Sequence, residues 1–327
     1  MMNGTSQPVS RRRAITILAV GAGAALVPAS LPATPLSRFE WTGTALGAPA
    51  RIMLQHRHRA VAADAVAACV AEVARLEREF SLYRSDSALS RLNRDGYLAA
   101  PSHDMRRLLS ACRRFGELSG GAFDVTVQPL WRLYARHFAN TADAVEGPSA
   151  AELAAALTLV DYRRIAIAPD RIVLPPGMGL TLNGIAQGYI TDRAADLLRA
   201  RGWRHVLIDL GEIRALDDRP DGRPWSIALA GAGSVPIADQ AVATSAGSGT
   251  PFTQDGRAHH LFNPTTGRSA NTYRSVTVIA AHATVADALS SAIYVAPHAE
   301  AARLLRAGGG IEARLVDGSG RVQRVRA

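Results

Sequence analysis

The sequence predicts an α+β fold: one domain of mixed or antiparallel sheets packed by helices. Three observations carry that reading. Helical and strand-like periods follow one another irregularly, without the regular strand–helix–strand repeat of a doubly wound sheet. Short strand-like runs face each other across Pro169-Asp170 and Asp317-Gly318, residue pairs that favour turns. The 327 residues, 48% of them hydrophobic, supply the core of one large domain and show no internal repeat.

Taken in order, residues 30–37 are rich in Pro and Ser and read as a linker. Phe39 to Gln55 alternates as one or two strands, with a turn near Gly47-Ala48-Pro49. Ala60 to Phe80 has a helical period that places Val66, Cys69, Val70, Val73, Leu76 and Phe80 on one side. Ser81 to Gly96 is polar and reads as a loop. His103 to Ser119 is a second helix, closed by Gly120-Gly121. Ala122 to Leu133 begins apolar and contains Asp124, and Ser149 to Leu157 is helical with an acidic first turn.

Arg164–Ile167 and Arg171–Leu174 form a hairpin. Gly188 to Arg201 is a helix, and Val206 to Leu210 is a buried strand ending at Gly211. Trp225–Leu229, Ser234–Ile237, Ala241–Ser245 and Ser275–Ala280 read as strands. Two helices, Thr284–Val295 and His298–Arg306, precede a closing hairpin across Asp317-Gly318.

Composition removes whole classes of chemistry. All 37 basic residues are arginines. A chain without lysine forms no Schiff base with pyridoxal phosphate and carries no Walker A lysine. Any phosphate it handles must be held by arginine, backbone N–H groups, hydroxyls or a metal ion. The net charge of +9 falls to about +6 once Arg11, Arg12 and Arg13 are set aside, and the other arginines often stand beside acids. Aromatic content is 6%, and no basic run interleaves with stacking rings, so nucleic acid is not the expected partner.

Residues 1–29 carry the order of an export signal. Ser10-Arg11-Arg12-Arg13 precedes the apolar stretch Ile15–Val27, and Val27-Pro28-Ala29 offers a cleavage site. The twin-arginine-like start predicts a periplasmic protein, or one attached to the membrane and facing the periplasm. Cys69 and Cys112 lie in helical runs without metal-ligand spacing, and apolar packing is their default role.

Four segments carry candidate chemistry. Thr284, a natural N-cap, opens a helix on which Asp287 and Ser291 are four apart and share a face. That carboxylate and hydroxyl form a hard-oxygen pair suited to magnesium, although an acid in a first turn commonly serves the helix dipole. Leu182 to Tyr189 brings Gly184 and Gly188 to a helix N-terminus, where an anion, a metal or merely a tight turn fits. His259-His260 precedes the turn Asn263-Pro264-Thr265-Thr266-Gly267, and Ala243 to Gly249 offers hydroxyls and N–H groups.

Together these segments form an ordered series. Ser81-Leu82-Tyr83 with Ser87 and Arg91-Leu92-Asn93 comes first, then Gly121-Ala122-Phe123-Asp124-Val125-Thr126 and Gly184-Ile185-Ala186-Gln187-Gly188-Tyr189. Asp209-Leu210-Gly211, Ala243-Thr244-Ser245, His260-Leu261-Phe262-Asn263-Pro264 with Thr266-Gly267, and Ala286-Asp287-Ala288-Leu289 follow. The series resembles the ApbE-type FAD:protein FMN transferases from about Phe39 to the C-terminus.

The resemblance implies one flavin transferase domain over residues 38–327. It implies magnesium-dependent transfer of FMN from FAD to a threonine hydroxyl of an acceptor redox protein, with AMP released. By the same resemblance, FAD contacts fall on Tyr83, Ala122, Phe123, Asp124, Thr181, Gln187 and Leu261. Metal ligands fall on Gly184 (through its carbonyl), Asp287 and Ser291, and His260 matches a histidine that assists proton removal from the acceptor.

The chain departs from the family pattern at several of these positions. Thr42 stands where methionine is usual, Ala88 replaces a glutamate, Thr181 an acid, Gln187 a lysine, and Ser291 a threonine. The departures at Ala88, Thr181 and Gln187 support a second reading, a non-catalytic periplasmic FAD-binding maturation protein, and a third reading keeps the site but sends the phosphoryl group to water, as an FAD pyrophosphatase giving FMN and AMP.

Overall fold

The computed structural model describes residues 37–45, 47–140, 146–229 and 231–327, so the expected leader and all but the last residue of the linker lie outside it. That last residue, Ser37, opens β1 (Ser37–Ala45), which pairs antiparallel with β2 (Ala48–His56). The long helix α1 (Arg59–Phe80) follows, burying Val66, Cys69, Val73, Leu76 and Phe80 as its period predicts. Then come α2 (Ala88–Asp95), β3 (Tyr97–Ala99), α3 (His103–Leu118), α4 (Gln128–Asn140) and α5 (Ala150–Leu157). β4 (Ala166–Ile167) and β5 (Arg171–Val173) form the expected hairpin, and β3 adds to it as a third strand.

The second half supplies α6 (Ala186–Ala200), β6 (Val206–Asp209), β7 (Ile213–Leu216), β8 (Trp225–Leu229), β9 (Gly233–Ile237) and β10 (Ala241–Ala246). It ends with β11 (Tyr273–Ala280), α7 (Ala283–Val295), α8 (Ala301–Gly308), β12 (Gly310–Asp317) and β13 (Val322–Arg326).

Eight strands make one antiparallel sheet in the order β1-β2-β6-β7-β10-β11-β12-β13. Strand alternation divides its side chains between two cores. On β2, Ile52 and Leu54 enter the main core, on the side packed by α1, α6, α7 and α8. Met53 turns to the opposite side and meets Leu207, Ile227, Val235 and Ile237 under the β8–β9 hairpin. A third, aromatic cluster ties α4 and α5 to the 252–262 loop through Tyr134, Phe252 and Phe262.

Several expectations need correction. The polar stretch after Phe80 holds a short helix, α2, in which only Ala88, Leu89 and Leu92 are buried. Ser87 caps it, accepting from the Ser90 N–H at 3.0 Å. The stretch from Ala122 leads into α4, and the segment after Gly211 forms β7, whose Arg214 broke the apolar pattern on which the strand reading relied. α6 starts two residues before Gly188, and a 3-10 turn, His298–Glu300, precedes α8. Cys69 and Cys112 are both free and buried, with burial pushing the Cys69 thiol up to about 12. Among the described residues no helix is long and apolar enough to cross a membrane.

Candidate functional site

The site lies where the start of α6 meets α7. Gly188 donates its N–H to Asp287 Oδ2 at 3.0 Å. A β-carbon on Gly188 would lie 2.4 Å from the Ala283 oxygen and 2.8 Å from the Asp287 β-carbon, so only glycine permits this approach. One turn along α7, Ser291 faces Gly184, where an added β-carbon would lie 2.8 Å from Ser291 Oγ. Gly184, Asp287 and Ser291, separated by about a hundred residues of chain, are thus brought together.

The cap of α7 differs from the expected one. Its N-cap is His282, which makes no side-chain cap bond, and Thr284 lies inside the helix. Asp192 of α6 performs the capping instead: it accepts from the Ala283 N–H and the Thr284 N–H, both at 2.9 Å, and from Thr284 Oγ1 at 2.6 Å. The same carboxylate pairs with Arg214, whose side chain is 2% exposed and which also meets His282 Nδ1 at 2.8 Å. A buried ion pair therefore fixes the helix that presents Asp287.

Around Asp287 the electrostatics are costly. Burial pushes its carboxyl up to about 7, opposed by the Gly188 N–H and reinforced by Asp192. Burial and then the nearby Asp287 hold Glu212 well above the ordinary carboxylate range. Two buried carboxyls near one point leave a deficit of positive charge that a divalent cation would relieve. The Asp287 carboxylate and the Ser291 hydroxyl are hard oxygens, which fit magnesium better than zinc. Among the described residues no group of three or more His, Cys, Asp or Glu is placed to hold a metal.

Three neighbouring cavities meet at Asn183. The smallest, about 80 Å³, is lined by Ala122, Phe123, Asp124, Thr181, Gly184, His260, Leu261 and Ser291. A main cleft of about 600 Å³ is lined by Tyr83, Gln187, Thr250 and His260, and a side lobe of about 510 Å³ runs past Tyr83 toward α4. Every site residue named from the sequence lines these spaces except Asp287, which lies behind Gly188.

Their surroundings assign different tasks. Tyr83 is 79% exposed at the rim, an aromatic face open to a flat ligand. Asp124 is fully engaged, accepting from the Thr126 N–H and Oγ1 and from the Tyr162 N–H at 3.1 Å, so it shapes the wall of the small pocket. Gln187 lies over Gly211, whose φ of 100° and missing side chain make room for the amide. Ser245 contacts Ser290 Oγ at 2.8 Å and Ser291 Oγ at 3.1 Å, so its hydroxyl anchors α7. The loop 243–249 is therefore not a free phosphate cradle at Ser245.

His260 has the setting of a neutral base. Its Nδ1 is buried without a hydrogen-bond partner among the described residues, as is Nε2 of His259. Burial, and then His259, bring His260 down to about 4, so the ring is uncharged at neutral pH. Sequence reasoning missed Asp192, Arg214 and Glu212. The signal for Arg214 and Glu212 was their presence in an otherwise apolar strand region; Asp192 left none, since an acid in a helix is ordinary.

Comparison with known proteins places this geometry. The model of the ApbE family matches residues 46–315. The chain is 33% identical over 269 residues to the FAD:protein FMN transferase of Treponema pallidum, covering 73% of each chain. It is 32% identical over 235 residues to the Vibrio cholerae protein of the same name, covering 66% of this chain and 69% of that one. Among solved structures it resembles the Pseudomonas stutzeri flavinyl transferase ApbE, apo form (TM-score 0.73, 28% identity, 89% of this chain and 94% of that one). It also resembles the ApbE protein of Thermotoga maritima (TM-score 0.78, 27% identity, 88% of this chain and 97% of that one).

Proposed function

Because this chain belongs to the ApbE family, we propose that it is an FAD:protein FMN transferase that uses magnesium, attaches FMN to an acceptor threonine and releases AMP. The observation that carries this reading is the meeting of Gly184, Ser291 and His260 on one pocket, with Asp287 directly behind it. The expected leader adds that the protein works outside the cytoplasm, on a periplasmic or membrane-associated redox subunit.

The residues divide the work. Tyr83 and Gln187 border the cleft that accepts the dinucleotide, and Phe123, Thr181 and Leu261 close its inner end. Asp287, Ser291 and the Gly184 carbonyl would hold magnesium, which supplies neutralisation of the pyrophosphate as charge develops on the leaving oxygen. That demand is high here, since Gln187 brings no positive charge. His260, uncharged, accepts the proton of the threonine hydroxyl as its oxygen forms a bond to the FMN-side phosphorus. The bond from that phosphorus to the bridging oxygen breaks in line, and AMP departs.

The test is incubation with FAD, magnesium and a threonine-bearing acceptor, read by AMP release and by in-gel flavin fluorescence of the acceptor. FAD binding without AMP identifies a maturation protein instead, and AMP with FMN but no labelled acceptor identifies a pyrophosphatase. Asp287→Ala is expected to abolish magnesium-dependent turnover while retaining most FAD binding. Parent-like turnover in that variant rejects the metal site.

A further inference from the structure

His259 stands next to the base and takes no part in the proton transfer. It is 1% exposed, and its Nδ1 accepts from the Leu261 N–H at 3.2 Å. A backbone N–H can only donate, so Nδ1 carries no hydrogen, and the hydrogen of the neutral ring is on Nε2. Burial lowers the ring below the ordinary histidine range and keeps it neutral, against the Ala270 backbone and the Asn271 side chain. An acceptor two residues before its donor is the bond of an Asx turn, made here by an imidazole. Ser269 holds the main chain of the same residue, accepting from the His259 N–H at 2.9 Å and donating to its carbonyl at 2.7 Å. The ring also covers Gly247, where an added β-carbon would lie 2.6 Å from Cδ2 and 2.9 Å from Nε2. Gly247 donates its N–H to Tyr294 Oη at 3.2 Å, and the Tyr294 ring meets His259 edge-on with centroids 5.9 Å apart. His259 thus joins the turn that carries His260, the 247–250 loop, and α7 just past Ser291.

His260 needs such a neighbour. A working histidine is ordinarily aimed by a hydrogen bond to its second ring nitrogen, yet His260 Nδ1 has no partner among the described residues. Its own N–H donates to the Thr250 carbonyl at 3.2 Å, and a β-carbon on Gly249 would lie 3.5 Å from its Cε1. His259 braces both contacts, the backbone through Leu261 and the loop through Gly247. We propose that His259 is the positioning residue for His260, and that it acts through the hydrogen bond its Nδ1 accepts from Leu261. That bond sets the turn in which His260 faces the main cleft while Leu261 enters the small pocket. The bulk of the ring serves stability instead. This rests on the transferase reading above, to which it adds the group that orients the base.

The pair His259→Asn and His259→Leu tests it. Both side chains have the same branched outline, but only the asparagine oxygen accepts from the Leu261 N–H as an Asx turn. His259→Leu is expected to lower kcat for flavin transfer by roughly 10- to 100-fold, the scale of a misaligned catalytic group, with KM for FAD within about 2-fold of the parent. His259→Asn is expected to recover kcat to within about 3-fold of the parent, although it melts no higher than the leucine variant. A variant that is no more stable yet far more active is not what general loosening produces. Should this pair not fold, His259→Ser and His259→Ala ask the same question, since they differ by one hydroxyl able to accept from that N–H.

Nitrogen NMR of the histidine-labelled parent protein reads the hydrogen directly and needs no turnover. His259, assigned by the loss of its signals in the variants, is expected with the hydrogen on Nε2. A hydrogen on Nδ1 overturns the proposal. So does equal kcat in the asparagine and leucine variants, or a loss carried by KM for FAD. Should the His260 ring signals move in His259→Leu and not in His259→Asn, while no acceptor ever gains flavin, the positioning role stands and the transferase reading fails.

Discussion

Replacing Asp192 with alanine perturbs the molecule at the point where α6, β7 and α7 are joined. The change removes the sole carboxylate partner of Arg214 among the described residues, leaving a guanidinium whose side chain is 2% exposed with, among those residues, only the His282 ring as a hydrogen-bond partner. Stranding one member of a buried pair costs about 3–5 kcal/mol. The Ala283 and Thr284 N–H groups at the start of α7 lose their acceptor as well, which adds about 1 kcal/mol as in other cap deletions. A loss of about 4 kcal/mol or more is therefore expected, a large part of the ~5–15 kcal/mol that holds a typical domain together.

Urea unfolding followed by tryptophan fluorescence measures it, with the slope checked so that the midpoint reports stability alone. The informative partner is the double variant Asp192→Ala/Arg214→Met. With no charge left stranded, it should be more stable than the single variant despite carrying one substitution more. A single-variant loss below about 1 kcal/mol, or a double variant less stable than the single, refutes the claim that this pair fixes α7.

Two further outcomes follow from the geometry. Gly188→Ala should destabilise by about 1–3 kcal/mol and reduce magnesium-dependent turnover together, because its β-carbon meets the Ala283 backbone at 2.4 Å; an unchanged melting temperature contradicts the packing described. The pH dependence should carry the mark of His260, at about 4 when folded and near 6.5 when unfolded. Between those values the unfolded state binds the extra proton, so stability falls as pH drops through that window, by roughly 3 kcal/mol in all. His260→Gln should remove this part of the slope, and identical urea midpoints at pH 7 and pH 5 relative to the parent would show that the ring is not buried as described.

Much of the fold was legible because strong periods survive in single sequences. The α1 stripe from Val66 to Phe80 and the two hairpins were set by local pattern and turn residues. α2 escaped because a short helix with three buried residues has little periodicity to show. β7 escaped because Arg214 stands where a buried strand is expected to be apolar, and Asp192, 22 residues earlier, together with His282, makes that arginine tolerable. The candidate site was read from ordered motifs, and the structure brings all of its residues to one junction. What those motifs could not convey was division of labour. Asp124, while lining the small pocket, also holds the Tyr162 segment in place, and Ser245 anchors α7.

The bond from Gly188 to Asp287 spans 99 positions, and those from Ala283 and Thr284 to Asp192 span 91 and 92. During synthesis, α6 therefore leaves the ribosome long before its partner exists, and both Arg214 and the Gly188 N–H must stay hydrated until α7 arrives. Closures of this length make folding slow and leave chains that stop before α7 without this junction. The junction that presents Asp287 therefore cannot form until α7 has been made.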